Sequence, residues 1–176
     1  ANASFQQRLH DVVLPNLRRL IGAARETGAE VMYTVIENLT RDGRDRSLDY
    51  KISGIFVGKG SWEAQVIDAI APGDDEIVLA KTSSSLFNST NCDYLLRNLG
   101  VEHLIVGGLL TDQCVDHTIR DAADRGYRAI CVHDACGTLS EERHESALAL
   151  FAGYCRILTT DEVIGELRRA PAACGQ

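Results

Sequence analysis

The segment Gly107-Gly108-Leu109-Leu110-Thr111-Asp112-Gln113-Cys114-Val115 holds the residues best placed for chemistry. An apolar run, His103-Leu104-Ile105-Val106, leads into two glycines, and a helical pattern follows over residues 113–125. That order reads as strand, tight turn and helix. Cys114 then falls in the first turn of the helix, where unpaired N–H groups and the positive end of the dipole favour a thiolate. The same N–H groups can receive a developing oxyanion. A small, buried cysteine without chemistry is the competing reading of the same residue. Lys81 closes a second apolar run, Glu76-Ile77-Val78-Leu79-Ala80. It either snorkels to solvent or holds a charge near a crevice, where closeness to Cys114 would favour the charged sulfur.

The elements that must position these two residues follow from periodicity. Leu9, Val13, Leu17, Leu20, Ile21 and Ala24 recur at helical spacing, Gly28 stops them, and Pro15 suggests that the helix proper begins near it. Strands are expected at 30–36, 76–80, 103–106, 128–132 and 156–158. Helices are expected at 62–70, 93–99, 113–125, 141–151 and 161–168. Strands alternating with helices imply an α/β fold with a mostly parallel sheet. In such sheets the crevice lies beyond the carboxyl ends of the strands, and Glu37, Lys81 and the turn before Cys114 all fall there. Residues 37–60 are polar, lack periodicity, and are long for a structureless connection, which marks a functional or mobile loop.

A chain of 176 residues with 45% hydrophobic and 24% charged content reads as one soluble globular domain. Its net charge of -7 argues against a nucleic-acid partner. No apolar run could span a membrane, and residues 1–10 contain no apolar signal core. Six cysteines, at 92, 114, 131, 136, 155 and 174, form no CxxC pair and no zinc spacing, so reduced thiols in a cytoplasmic protein are expected.

Three blocks then combine. Lys81-Thr82-Ser83-Ser84-Ser85-Leu86-Phe87-Asn88-Ser89-Thr90 fits K-x5-F-x2-T, and Gly108 to Ala122 fits G-x-x-T-x-x-C-V-x-x-T-x-x-D-A through Thr111, Cys114, Val115, Thr118 and Asp121. Val132-His133-Asp134-Ala135 completes the set. With this order and spacing the chain resembles the isochorismatase-like cysteine hydrolases, a superfamily that includes nicotinamidases, N-carbamoylsarcosine amidase and ureidoacrylate amidohydrolases. The resemblance runs from Val13 to Thr160. It implies a three-layer α-β-α fold with strand order 3-2-1-4-5-6 and an Asp–Lys–Cys triad. Cys114 matches the nucleophile and Lys81 the lysine. The resemblance also implies a cis peptide at Leu109–Leu110, which turns the Leu110 amide toward the oxyanion beside that of Cys114. Phe87 matches an aromatic pocket wall, and Asn88, Thr111 and Glu37 are expected around the substrate.

One departure concerns the triad Asp, which in the family ends the first strand. No apolar strand precedes Val13-Leu14-Pro15-Asn16, and Asp11 follows no strand, so this strand is expected to be absent and the domain, 1–176, to be N-terminally incomplete. Nicotinamidases of the family carry a D-x-H metal site. The matching loop here, Glu37-Asn38-Leu39-Thr40-Arg41-Asp42, has no histidine, so neither metal nor other cofactor is expected. His117, one helical turn after Cys114, either approaches the sulfur or packs blandly. Arg44 and Arg46 are either solvated or part of a lid that grips a substrate carboxylate. The reaction implied is cleavage of a C–N bond in a small amide, ureido or carbamoyl compound, and Lys59-Gly60-Ser61-Trp62 resembles the ureido and carbamoyl branch. The alternatives are the vinyl-ether chemistry of isochorismatase, which Cys114 disfavours, and a non-catalytic member lacking the Asp. Partners implied are a small-molecule substrate and, by resemblance alone, further copies of the chain in a homodimer or homotetramer.

Overall fold

The computed structural model describes residues 3–170; residues 171–176, with Cys174, lie outside them. The chain starts earlier in helix than Pro15 suggested. Helix α1 (Ala3–Arg8) passes through a widened π turn (Leu9–Val13) into α2 (Leu14–Thr27). Proline gives no N–H to the preceding turn and its ring crowds the carbonyl there. The wider turn just ahead of Pro15 accommodates both defects, and the rod continues. Gly28 ends it in the left-handed conformation, φ 72°, which a residue with a Cβ enters at a cost.

The order that follows is β1 (Met32–Ile36), α3 (Leu48–Ile52), 3-10 turns at Trp62–Ala64 and Asp68–Ile70, and β2 (Ile77–Lys81). Next come α4 (Leu86–Ser89), α5 (Cys92–Asn98), β3 (His103–Leu109), a π turn (Thr111–Val115) and α6 (Asp116–Asp124). β4 (Arg128–Gly137), α7 (Glu141–Phe151), β5 (Cys155–Leu158) and α8 (Thr160–Arg169) complete it. The expected helix at 62–70 is thus two separate 3-10 turns, with Gln65 extended between them. The long polar loop contains α3, which is too short for a periodic pattern but is capped by Ser47, whose side chain accepts from the Tyr50 N–H.

All strand pairs are parallel, as helical crossovers require. The strands form two groups, β1–β2 and β3–β4–β5, where the resemblance implied one sheet of order 3-2-1-4-5-6. That order places its first strand between β1 and β3, each of which has an unpaired edge among the described residues. The open edge shows in burial. Ile105 and Leu109 of β3 are 37% and 40% exposed, whereas Val132 of β4 is fully covered. β4 also bulges: Val106 faces Cys131 but Gly108 faces Cys136, so four residues stand against Gly107. A Cβ on Gly107 would lie 3.1 Å from the Leu17 side chain and 3.4 Å from the Ala135 carbonyl, so a larger residue there would push against α2 and the bulge.

Two apolar clusters hold the layers. On one side Leu17, Leu20 and Ala23 of α2 pack with Ile130, Val132 and Ala135 of β4 and with Val163 and Ile164 of α8. On the other, Val115, Ile119 and Ala122 meet Phe87, Cys92, Leu96, Cys131 and Phe151. Ile119 is fully buried there, on α6, which continues directly from the turn that carries Cys114. Ile119→Ala should therefore cost about 2–5 kcal/mol, the range for emptying a packed aliphatic site. Urea unfolding followed by far-UV circular dichroism measures it.

Candidate active site

Lys81 is the last residue of β2 and pairs in register with Ile36, the last residue of β1. Its side chain is buried, and its ammonium is surrounded by acceptors: the Ser83 carbonyl at 2.9 Å, the Tyr50 hydroxyl at 3.1 Å, the Ser84 carbonyl at 3.2 Å and the Cys114 sulfur at 3.2 Å. A buried charge is costly unless paired and hydrogen-bonded, and here every N–H has an oxygen or sulfur to meet. The sequence left Lys81 open between a surface position and the crevice. Its amine turns inward at the carboxyl end of β2, and Cys114 is half-buried beside it.

Cys114 sits in the π turn that joins β3 to α6. The peptide Leu109–Leu110 is cis. The Leu110 carbonyl accepts from both the Gln113 and the Val115 N–H at 3.1 Å, which folds the turn back on itself just before the cysteine. Gly108, at φ 119°, supplies the conformation that sends the chain out of β3 into this turn. The Thr118 hydroxyl accepts from the Leu86 N–H at 3.3 Å and ties α6 to the Ser/Thr-rich loop that follows Lys81.

Tyr50 is the member of this site that sequence reasoning missed. It lies on α3, within the long polar loop, and is 1% exposed. Its hydroxyl donates to the Ser83 carbonyl at 3.0 Å, accepts from Lys81, and stands 3.7 Å from the Cys114 sulfur. Burial first, and then the neighbouring sulfur, hold the phenol above its ordinary pKa, so it remains protonated. The loop is fastened around it. The Ser47 N–H donates to the Thr82 carbonyl at 2.9 Å, and the Ser84 hydroxyl donates to Asp49 at 3.0 Å. The available signal was the Ser-Leu-Asp-Tyr sequence, a cap followed by an acidic first turn, which reads as a short helix but says nothing of where its tyrosine goes.

The other expected residues fall in different places. Glu37 closes the loop on itself by accepting from the Gly60 N–H at 2.7 Å. Arg46 gives its donors to the Gly43 carbonyl at 2.9 Å and the Ile55 carbonyl at 2.7 Å, and lies over the Phe56 ring. Arg44 is exposed and pairs with Asp42 at 3.1 Å. Phe87 is buried in the core, its ring 5.8 Å from that of Tyr127, and Asn88 is exposed. His117 turns its Nδ1 to the Gln113 carbonyl at 2.8 Å. Asp11 lies on the N-terminal π turn. Among the described residues, the side chains within hydrogen-bonding distance of the Cys114 sulfur are Lys81 and Tyr50, and no carboxylate touches either Cys114 or the Lys81 ammonium.

Thr111 is fully buried and its hydroxyl meets Nδ1 of His144, itself 1% exposed, at 2.9 Å. Desolvation, and then Arg8, lower the pKa of His144, which keeps the ring neutral. Its Nε2 has no partner among the described residues. The bond joins the turn before Cys114 to α7. Thr111→Val keeps the shape and leaves Nδ1 unpaired as well, so it should destabilise the fold by about 1–3 kcal/mol. A drop in the urea midpoint without a change in m-value checks this.

A buried lysine and a half-buried cysteine meeting at the carboxyl ends of parallel strands define an α/β protein with a thiol–amine pair at that end of its sheet. Residues 2–163 match the Isochorismatase domain, and the chain belongs to that family. It is 36% identical to an N-carbamoylsarcosine amidase from Arthrobacter sp. over 132 residues, covering 72% of this chain and 50% of the relative. It is 32% identical to isochorismatase of Bacillus subtilis (strain 168) over 158 residues, 89% of this chain and 50% of the relative. The chain thus spans half the length of each of these curated relatives. A crystal structure of a cysteine hydrolase from Pseudomonas syringae pv. phaseolicola 1448A is similar with a TM-score of 0.81 at 26% identity, covering 89% of this chain and 80% of that one.

Proposed function

We propose that this protein is a cysteine hydrolase that cleaves a C–N bond in a small amide, ureido or carbamoyl compound through a covalent intermediate. The 3.2 Å contact between Lys81 Nζ and Cys114 Sγ carries the reading. A sulfur held against an ammonium at a helix start is a nucleophile whose negative charge is stabilised from two sides. Similarity to an N-carbamoyl amidase supports the substrate class, and similarity to a protein named cysteine hydrolase supports the nucleophile.

In this mechanism the sulfur attacks the carbonyl carbon and forms the C–S bond. The oxyanion is received by backbone N–H groups of the turn, those of Leu110 and Cys114. The C–N bond then breaks, and Lys81 supplies the proton that the departing nitrogen needs. Water attacks the remaining thioester or thiocarbamate, its proton returns to Lys81, and the C–S bond breaks to restore the sulfur. In the triad that the resemblance implies, an Asp at the end of the first strand takes part in this proton transfer with Lys81.

The test is ammonia release from a panel of primary amides, ureido acids and N-carbamoyl amino acids, with a vinyl-ether substrate alongside. Turnover confined to C–N substrates is expected. Cleavage of the vinyl ether alone would favour the isochorismatase reaction. No turnover on any member, with Cys114 still reactive toward iodoacetamide, would favour a non-catalytic binding role.

A further inference from the structure

The turn that carries Cys114 has no cap of its own, since Leu110 at its start has no side-chain group to bind the first N–H groups. Gly107 and Gly108 precede it, and a turn entered through glycines shifts readily unless other segments hold it. The hold comes from α7. Thr111 and Asp112, consecutive in the turn, meet His144 and Arg143, consecutive in the first turn of that helix. The Thr111 hydroxyl and His144 Nδ1 lie 2.9 Å apart, and Arg143 Nε donates to Asp112 at 2.5 Å. The other carboxylate oxygen of Asp112 accepts from the hydroxyl of Thr138, the residue after β4, at 2.5 Å. The helix end is itself fixed: the Arg143 N–H donates to the Ser140 hydroxyl at 3.2 Å and the His144 N–H to the Ser140 carbonyl at 3.1 Å. The side chains that reach the sulfur are Lys81 and Tyr50, so an effect of this brace on chemistry runs through the turn.

We propose that His144 and Arg143 are positioning residues: through Thr111 and Asp112 they keep the Leu110 and Cys114 N–H groups aimed at the oxygen of the carbonyl under attack. This rests on the C–N hydrolase reading and deepens it. Leu110 directly precedes the braced pair and Cys114 stands two residues after it, so a shift of the pair moves both donors. An oxyanion hole works only when its donors already stand at hydrogen-bonding distance from the developing charge, and a misplacement of about 1 Å costs on the order of 10^2-fold. The two halves of the brace differ in kind. Thr111 and His144 are sealed in the interior, and burial keeps the imidazole neutral, so this half carries no buried charge. The Arg143 side chain is 46% exposed, so that half can be cut without opening the core.

Thr111→Val, His144→Leu, the two combined, and Arg143→Met test it, each checked for folding by circular dichroism. Two rates are compared with those of the wild-type chain: ammonia release from an amide substrate and alkylation of Cys114 by iodoacetamide. In alkylation the sulfur displaces iodide and no oxyanion forms. On the amide, kcat should fall roughly 10- to 100-fold in Thr111→Val and in His144→Leu, with KM changed little. The combined variant should lose about as much as either alone, because the two residues share one bond. Arg143→Met should lower kcat roughly 10-fold in the same selective way. Alkylation should stay within about threefold in all four, since Lys81 still faces the sulfur. His144→Asn, whose amide stands where Nδ1 stood, should recover most of the kcat lost in His144→Leu. Unchanged kcat in the folded variants overturns the proposal. So does an equal fall in kcat and in alkylation, which would mean that the whole site has loosened. If the buried variants do not fold, Arg143→Met decides alone. A wild-type chain that releases ammonia from no C–N substrate overturns the hydrolase reading and this inference with it, whereas an active wild type with unaffected variants overturns this inference only.

Discussion

Cys114→Ala should abolish C–N cleavage, lowering kcat by about 10^4-fold or more, the scale seen when a covalent nucleophile is removed. The loss should fall on kcat, because the sulfur forms its bond after the substrate is bound. Stability gives little reason for the variant to misfold. Cys114 is half-buried in a helical turn, and alanine is the best helix former. The partners it leaves, Lys81 and Tyr50, keep their mutual bond and the carbonyls of Ser83 and Ser84. A urea midpoint near that of the wild type, with ammonia release at the uncatalysed level, is the expected pair of results. Residual turnover within tenfold of the wild type would show that the sulfur is not the nucleophile. The four other described cysteines sharpen the assignment. Burial raises Cys92 and Cys155 to about 11, and Cys131 faces Cys136 inside β4, which raises it further. These thiols should be slow toward iodoacetamide at neutral pH, so fast labelling that disappears in Cys114→Ala belongs to that one residue.

Much of the path to Cys114 is legible in the sequence, and the reason is local. A strand followed by Gly107-Gly108 and a helical pattern fixes a turn, and the turn fixes where Cys114 goes. The same reasoning put Lys81 at the carboxyl end of a strand, as the residue that closes an apolar run, and left open whether its amine faced solvent or Cys114. α7 fell at its expected bounds because Ser140 caps it, accepting from the Arg143 N–H, and nothing in the pattern competes. What the sequence hid depends on distant chain segments. Tyr50 reaches the sulfur because Ser47 and Ser84 bind across from loop to loop, and no periodicity encodes that. Arg46, open in the sequence between a solvated residue and a substrate clamp, gives its planar donors to the Ile55 carbonyl and to the Gly43 carbonyl, which also accepts from the Arg46 backbone N–H. Phe87, placed at a pocket wall by the resemblance alone, is buried with its ring stacked on that of Tyr127, a contact between distant segments that no periodicity encodes. The continuation of β3 to Leu109 and of β4 to Gly137 was invisible because glycines at 107, 108 and 137 read as breaks. In the folded chain a side chain at 107 would press on Leu17 and Ala135 and one at 137 on Val13 and Leu109, while Gly108 holds a positive φ that other residues rarely adopt.

Lys81→Met separates the electrostatic role of the amine from its bulk. Methionine nearly fills the same channel without charge or N–H groups. Two terms oppose each other in the folded state. Removing a buried ammonium relieves a desolvation penalty of several kcal/mol. Against that, the Ser84 carbonyl loses its donor, at about 1–3 kcal/mol, while the Ser83 carbonyl keeps the Tyr50 hydroxyl. Stability should therefore change by no more than about 2 kcal/mol in either direction, and the variant should remain folded. Activity has no such compensation. The sulfur 3.2 Å away loses the cation that stabilises its charge, and the departing nitrogen loses its source of a proton. Electrostatic and acid–base contributions of this kind are each worth about 10^2-fold or more, so kcat should fall by at least that factor. Alkylation of Cys114 by iodoacetamide at pH 7 should slow as well, which a purely structural lysine would not cause. Lysine cannot be replaced here by arginine, whose planar fork would not fit among four acceptors arranged around one nitrogen. If Lys81→Met is folded and both its turnover and its alkylation rate stay within threefold of the wild type, the ammonium is a structural tie between the loop and β2. The chemistry would then have to be carried by Cys114 with a base from elsewhere.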